Sequence, residues 1–121
     1  MISYVTIGAQ DLEKASKFYD AVLGVVGAKR AMQADRYVAW ASAKGAPMVM
    51  IMKPFDGNPP TVGNGVMVAL KASSNEMVDA IHKKALEMGG KDEGAPGQRG
   101  PGLYAAYFRD LDGNKLNAIC M

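Results

Sequence analysis

The chain has 121 residues, 49% of them hydrophobic and 21% charged, with a formal net charge of +2. That length suits one domain with its own core, and the composition is that of ordinary globular proteins. The small net charge and scattered lysines and arginines argue against a nucleic-acid or membrane partner, and the single cysteine, Cys120, excludes an internal disulfide and suits a reducing compartment. With no basic leader and no apolar run of membrane-spanning length, a cytoplasmic location is expected.

Tyr4-Val5-Thr6-Ile7 is short, β-branched and alternating, the pattern of a strand. Asp11 is placed to cap a helix whose apolar stripe is Leu12, Ala15, Phe18, Tyr19, Val22 and Leu23. Gly24 is expected to end it. Strands are predicted around Val25–Met32, Arg36–Ala41 and Pro47–Lys53, with Lys44-Gly45 turning the chain between the last two. Within the third, "MVMIM" alternates, so Met48, Met50 and Met52 share one face and Val49 and Ile51 the other.

"PFDGNPPTVGNG", Pro54–Gly65, is aperiodic and reads as a linker. The pattern then restarts with a strand at Val66–Lys71. Ser73 and Glu76 have the spacing of a capping box, followed by the helical stripe Met77, Val78, Ile81, Ala85 and Met88 and a stop at Gly89-Gly90. Strands are predicted near Lys91–Glu93, Leu103–Arg109 and Lys115–Cys120. A Gly/Pro-rich loop, Gly94–Gly102, follows the first of these, and a tight turn at Asp112-Gly113-Asn114 joins the other two.

The halves repeat. Val5 matches Val68, Ala9 matches Ala72, Glu13 matches Glu76, Leu23 matches Leu86 and Gly27 matches Gly90, each pair 63 residues apart. The later strands align 67 residues apart, which puts Met50 on Asn117. The unit is βαβββ, twice. The expected fold is a single α+β domain over residues 1–121, with module one at 1–53, a linker at 54–65 and module two at 66–121.

Four stretches carry a resemblance: "VTIGAQDLEKASKFYDAVLG" at Val5–Gly24, the linker at Pro54–Gly65, "VDAIHKKALEMGGKDEGAPG" at Val78–Gly97, and "YAAYFRDLDGNKLNAIC" at Tyr104–Cys120. The chain resembles the vicinal oxygen chelate superfamily, which includes glyoxalase I, bleomycin-resistance proteins and extradiol dioxygenases. The resemblance implies a curved, partly open eight-stranded mixed sheet with helices on its outer face, a concave pocket, and a homodimer. Metal-dependent members take ligands from the first and last strands of each module. The matching positions here are Tyr4, Met50, Met67 and Asn117. A phenol, two thioethers and an amide are poor ligands for a borderline or hard cation. No metal and no cofactor is therefore expected.

Strand alternation sorts the rest. Val5, Ile7, Val49, Ile51, Val66, Val68, Leu70, Leu116 and Ala118 are expected against the helices. Tyr4, Thr6, Met48, Met50, Met52, Met67, Ala69, Asn117 and Ile119 are expected on the concave face. That face is apolar with a few hydrogen-bonding groups, which suits a small-molecule ligand. The ligand-binding candidates are Tyr4, Thr6, Met48, Met50, Met52, Met67 and Asn117, with Tyr4 and Asn117 also the candidates for any acid or oxyanion-donor role.

Three functions remain open: a metal-free protein binding an apolar or aromatic molecule, an enzyme with an unorthodox or metal-free site, and a dimeric structural module whose methionines fill the cavity. His82 and Cys120 are read as packing residues, and Asp110, Asp112 and Asn114 as a hairpin turn without the distant Glu of a calcium loop. Tyr104 and Tyr107 have opposite parity, and Trp40 is assigned to the core.

Overall fold

A computed structural model describes residues 1–121. The element order is β1 (Tyr4–Gly8), α1 (Leu12–Gly24), β2 (Lys29–Ala34), β3 (Tyr37–Ala41), β4 (Met48–Met52), β5 (Val68–Lys71), α2 (Asn75–Glu87), β6 (Lys91–Gln98), β7 (Tyr104–Arg109) and β8 (Lys115–Cys120). This is βαβββ twice, in an α+β fold. The strands form two sheets of four, ordered β1-β4-β3-β2 and β5-β8-β7-β6. In each, the first strand runs parallel to the last strand of its module and the other neighbours are antiparallel. The sheets do not close on each other: no Cα of β1 lies within 8 Å of one in β5 or β8.

Helix α1 starts where the sequence places it. The Asp11 side chain accepts from the Lys14 N–H at 3.1 Å. Its end differs: Gly24 is still helical, Val25 is the C-cap, and the turn is completed at Gly27, whose φ of +79° suits glycine. Val25 to Ala28 is therefore helix end and turn, and β2 begins only at Lys29. Helix α2 is capped by Ser74, which accepts from the Met77 N–H at 3.1 Å, rather than by Ser73, whose hydroxyl meets the Met77 sulfur. Only an extended backbone turns the cap side chain onto the first turn, and Ser74 has that conformation at φ −155° and ψ 163°.

Two further boundaries move. Val66 and Met67 precede β5, because a turn from Gly63 to Val66, closed by the Val66 N–H on the Gly63 carbonyl at 3.1 Å, holds the chain out of the ladder. Val66 is consequently exposed at 65%, not packed on a helix. In module two, β6 extends through Gln98 where a loop was expected from Gly94. Its pairing with β7 slips between Asp92 and Gly94 and again between Gly94 and Gly97, so the segment's alternation is lost and its strand character is hidden.

One core joins the modules. It takes Phe18, Tyr19 and Val22 from α1, Val78, Ile81 and Ala85 from α2, and Ile51, Phe108, Leu116 and Ala118 from the sheets. The Phe18 and Phe108 rings lie 6.5 Å apart across the module boundary. Burying such side chains is worth about 1.5–3 kcal/mol each, so the two modules stabilise each other.

Candidate functional site

Alternation on β1 and β4 places Tyr4, Thr6, Met48, Met50 and Met52 together. In the parallel register Tyr4 stands beside Met48 and Thr6 beside Met50. Their strand-mates Ile7 and Ile51, of opposite parity, are buried in the core, which fixes this as the face turned away from the helices. Met50 is buried, Met48 and Met52 are half-buried, and Tyr4 and Thr6 are exposed. The face is an apolar methionine wall with one phenol and one hydroxyl on it.

Asn117 occupies the matching face of the other sheet, between Ala69 on β5 and Tyr107 on β7. It is only 2% exposed, and its Oδ1 has no hydrogen-bond donor. Beside it, Lys115 Nζ and the Arg99 guanidinium lie 5.5 and 5.6 Å from the centre of the Tyr107 ring. Glu93 meets Arg109 at 3.2 Å and Lys115 at 3.8 Å. Met67 lies outside the strand and is exposed. The structure thus gathers five of the predicted ligand-binding residues on one sheet and puts Asn117 on the other. Tyr4 and Asn117, the two candidates for chemistry, are not brought together within the chain.

Tyr4, Met50, Met67 and Asn117 offer no carboxylate or imidazole, and nowhere do three His, Cys, Asp or Glu side chains gather. This donor set does not fit a borderline or hard divalent cation.

The remaining single residues fall as follows. His82 is buried, with Nε2 2.9 Å from Asp92 Oδ1, and that hydrogen bond holds the Asp92 carboxyl below its ordinary range. Tyr107 points to the candidate face, whereas the Tyr104 hydroxyl donates to Asp79 of α2 at 2.7 Å. Trp40 is buried, and Cys120 is a half-buried free thiol.

Sequence reasoning missed the polar knot between the modules. The Tyr19 hydroxyl of α1 donates to Asp110 Oδ2 at 2.6 Å. Asp110 also accepts from the Asp112 and Asn114 N–H groups and from Asn114 Nδ2, each at 2.9 Å. Asn114 Nδ2 reaches the Gly8 carbonyl as well, and Asp112 accepts from the Gln10 N–H. Burial, reinforced by Asp110, pushes the Tyr19 phenol well above its ordinary pKa, and burial also raises the Asp112 carboxyl. The turn residues were legible in sequence, but their partner 91 positions away was not.

The family model of the Glyoxalase/Bleomycin resistance protein/Dioxygenase superfamily matches residues 1–118. A solved glyoxalase/bleomycin resistance protein from Albidiferax ferrireducens T118 is 40% identical, with a TM-score of 0.91 over 98% of this chain and 97% of that one. The hypothetical protein SA1046 from S. aureus is 27% identical, with a TM-score of 0.73 over 100% and 96%. A lactoylglutathione lyase from Agrobacterium tumefaciens is 20% identical, with a TM-score of 0.73 over 98% and 92%, a likeness of fold alone. No curated protein sequence matches the chain.

Proposed function

The chain belongs to the glyoxalase/bleomycin resistance protein/dioxygenase superfamily, and from that premise we propose that it binds a small apolar or aromatic molecule, without a metal, on the sheet faces turned from the helices. The observation that carries this reading is Asn117 Oδ1, a buried acceptor without a donor. Leaving such a group unpaired costs about 1–3 kcal/mol, and native folds seldom keep one that nothing pairs with. A ligand with an N–H or O–H group would supply the missing donor. The methionines of β4 would adapt to its apolar body, since the thioether chain is flexible and contacts aromatic rings favourably.

A second copy of the chain is the proposed partner. Tyr4 on β1 and Val66 and Met67, just ahead of β5, are exposed at 52%, 65% and 41% and form the apolar surface that the second copy would cover. Exposed apolar patches mark sites of association. A dimer would bring the methionine face of one copy towards the Asn117 face of the other. Light scattering of the purified chain should give twice the chain mass.

The test of binding is a thermal-shift screen of phenols and aromatic amides on wild type and Asn117→Leu. The leucine is close in size and removes the orphan acceptor. Ligand-free Asn117→Leu should be as stable as wild type or more so, by up to about 1 kcal/mol, yet lose the response to donor-bearing compounds. Equal responses from both proteins would remove Asn117 from the site. Stoichiometric Zn, Ni, Mn or Fe in the purified protein would overturn the metal-free reading.

A further inference from the structure

The seam between the modules contains a separate space. It has a volume of about 560 Å³, within the roughly 300–1,000 Å³ of small-molecule sites. It opens beside β4 where the edges of β1 and β5 fail to pair, with the half-buried Val5, Val49 and Val68 as walls and the buried Leu23, Trp40 and Leu70 behind them. Of the methionine face only Met48 reaches it. Val5, Val49 and Val68, which alternation assigns to the core, are therefore only half-buried, because β1 and β5 do not pair.

Two features give this space a chemistry. The first is Trp40. Its Nε1 donates to Asp20 at 2.9 Å, and Asp20 in turn receives the Arg30 fork at 2.9 and 2.8 Å. The indole N–H is thus spent on the protein, and the ring is a fixed apolar wall. The second is Lys71, the only charged residue of the lining. It is exposed and belongs to none of the chain's ion pairs.

We propose that the seam cavity binds amphipathic carboxylates. The hydrocarbon body lies against Val5, Val49 and Val68, with the Trp40 ring behind them, and the carboxylate meets the Lys71 ammonium at the rim. Anions are favoured over cations because the lining carries one positive charge and no negative one. This site meets the methionine face only at Met48 and does not include Asn117.

Trp40 is the only tryptophan, so its emission reports the cavity directly. The probes are octanoate, octanol and octylamine, added to the full chain. Octanoate should change Trp40 fluorescence saturably and raise the melting temperature, and octylamine should bind several-fold more weakly than octanoate. Lys71→Met keeps an unbranched apolar stem at an exposed position and so leaves folding intact. It should weaken octanoate about threefold to fivefold, the worth of one exposed ion pair, and leave octanol unchanged. Val68→Phe, which fills the space, should weaken octanoate and octanol alike. No saturable change with octanoate, equal binding of octanoate and octylamine, or an unchanged octanoate affinity in Lys71→Met would overturn the proposal. So would light scattering that finds a dimer with which octanoate does not interact, since the second copy would then be the occupant of the seam.

Discussion

Replacing Tyr19 by Phe removes one oxygen from a fully buried site. Tyr19 is 0% exposed and Asp110 5%, so neither group can turn to water when the bond is lost. Asp110 keeps three of its four donors, those from Asp112 and Asn114, which limits the damage. A buried hydrogen bond to a charged acceptor contributes about 1.5–3 kcal/mol. For a chain of this size that is a fall in melting temperature of about 5–12 °C. Asp110→Asn should cost more, because it removes the charge that four donors share. Urea denaturation of the two single variants and the double variant gives the coupling. The double should be less destabilised than the sum of the singles by about 1 kcal/mol or more. There is also a pH signature. A phenol whose folded pKa is raised contributes stability that is complete below its unfolded value, about 10, and is lost as pH rises from there towards the folded value. Wild type should therefore lose stability above pH 10 more steeply than Tyr19→Phe. A Tyr19→Phe protein within about 0.5 kcal/mol of wild type, with additive variants and parallel alkaline limbs, would refute the knot as a clamp between modules.

Three other outcomes follow from named contacts. Asp20 is held below its ordinary pKa first by the Arg30 hydrogen bond, so its contribution is present above about pH 3.9 and lost as pH falls through the lower folded value. Asp20→Asn should flatten that acid limb of the urea midpoint by under about 1 kcal/mol, because both side chains are partly exposed. Gly90→Ala would place a Cβ 2.7 Å from the Arg109 carbonyl oxygen and 2.8 Å from that of Ala85, both backbone atoms. A loss of about 1–3 kcal/mol is expected in thermal unfolding, and a neutral result would mean the β7 end yields easily. Asn114→Ala removes the Nδ2 bonds to Asp110 and Gly8 together, and should cost about 1–3 kcal/mol in the same assay.

Much of the fold is written locally. The stripe from Leu12 to Leu23, the cap at Asp11 and the glycine turns at Gly45, Gly89 and Gly113 depend on neighbours within a few residues, and the sequence therefore determines them unaided. The repeat of these signals determines the βαβββ architecture, and with it which residues of each strand share a face. The composition of the methionine face follows from the two-residue period of β4 and needs no tertiary information. The choice of Ser74 over Ser73 as cap, the exclusion of Val66 and Met67 from β5 and the slipped continuation of β6 turn on backbone angles and ladder partners that residue identity leaves open. Tertiary structure alone decided what meets across long separations. It placed Tyr19 on Asp110, left Asn117 Oδ1 without a donor, set Tyr4 and Asn117 on different sheets, and opened a cavity beside Trp40 and Lys71. Periodicity gives a side chain its direction, but whether that direction ends in a contact or in empty space depends on how two modules seat on one shared core.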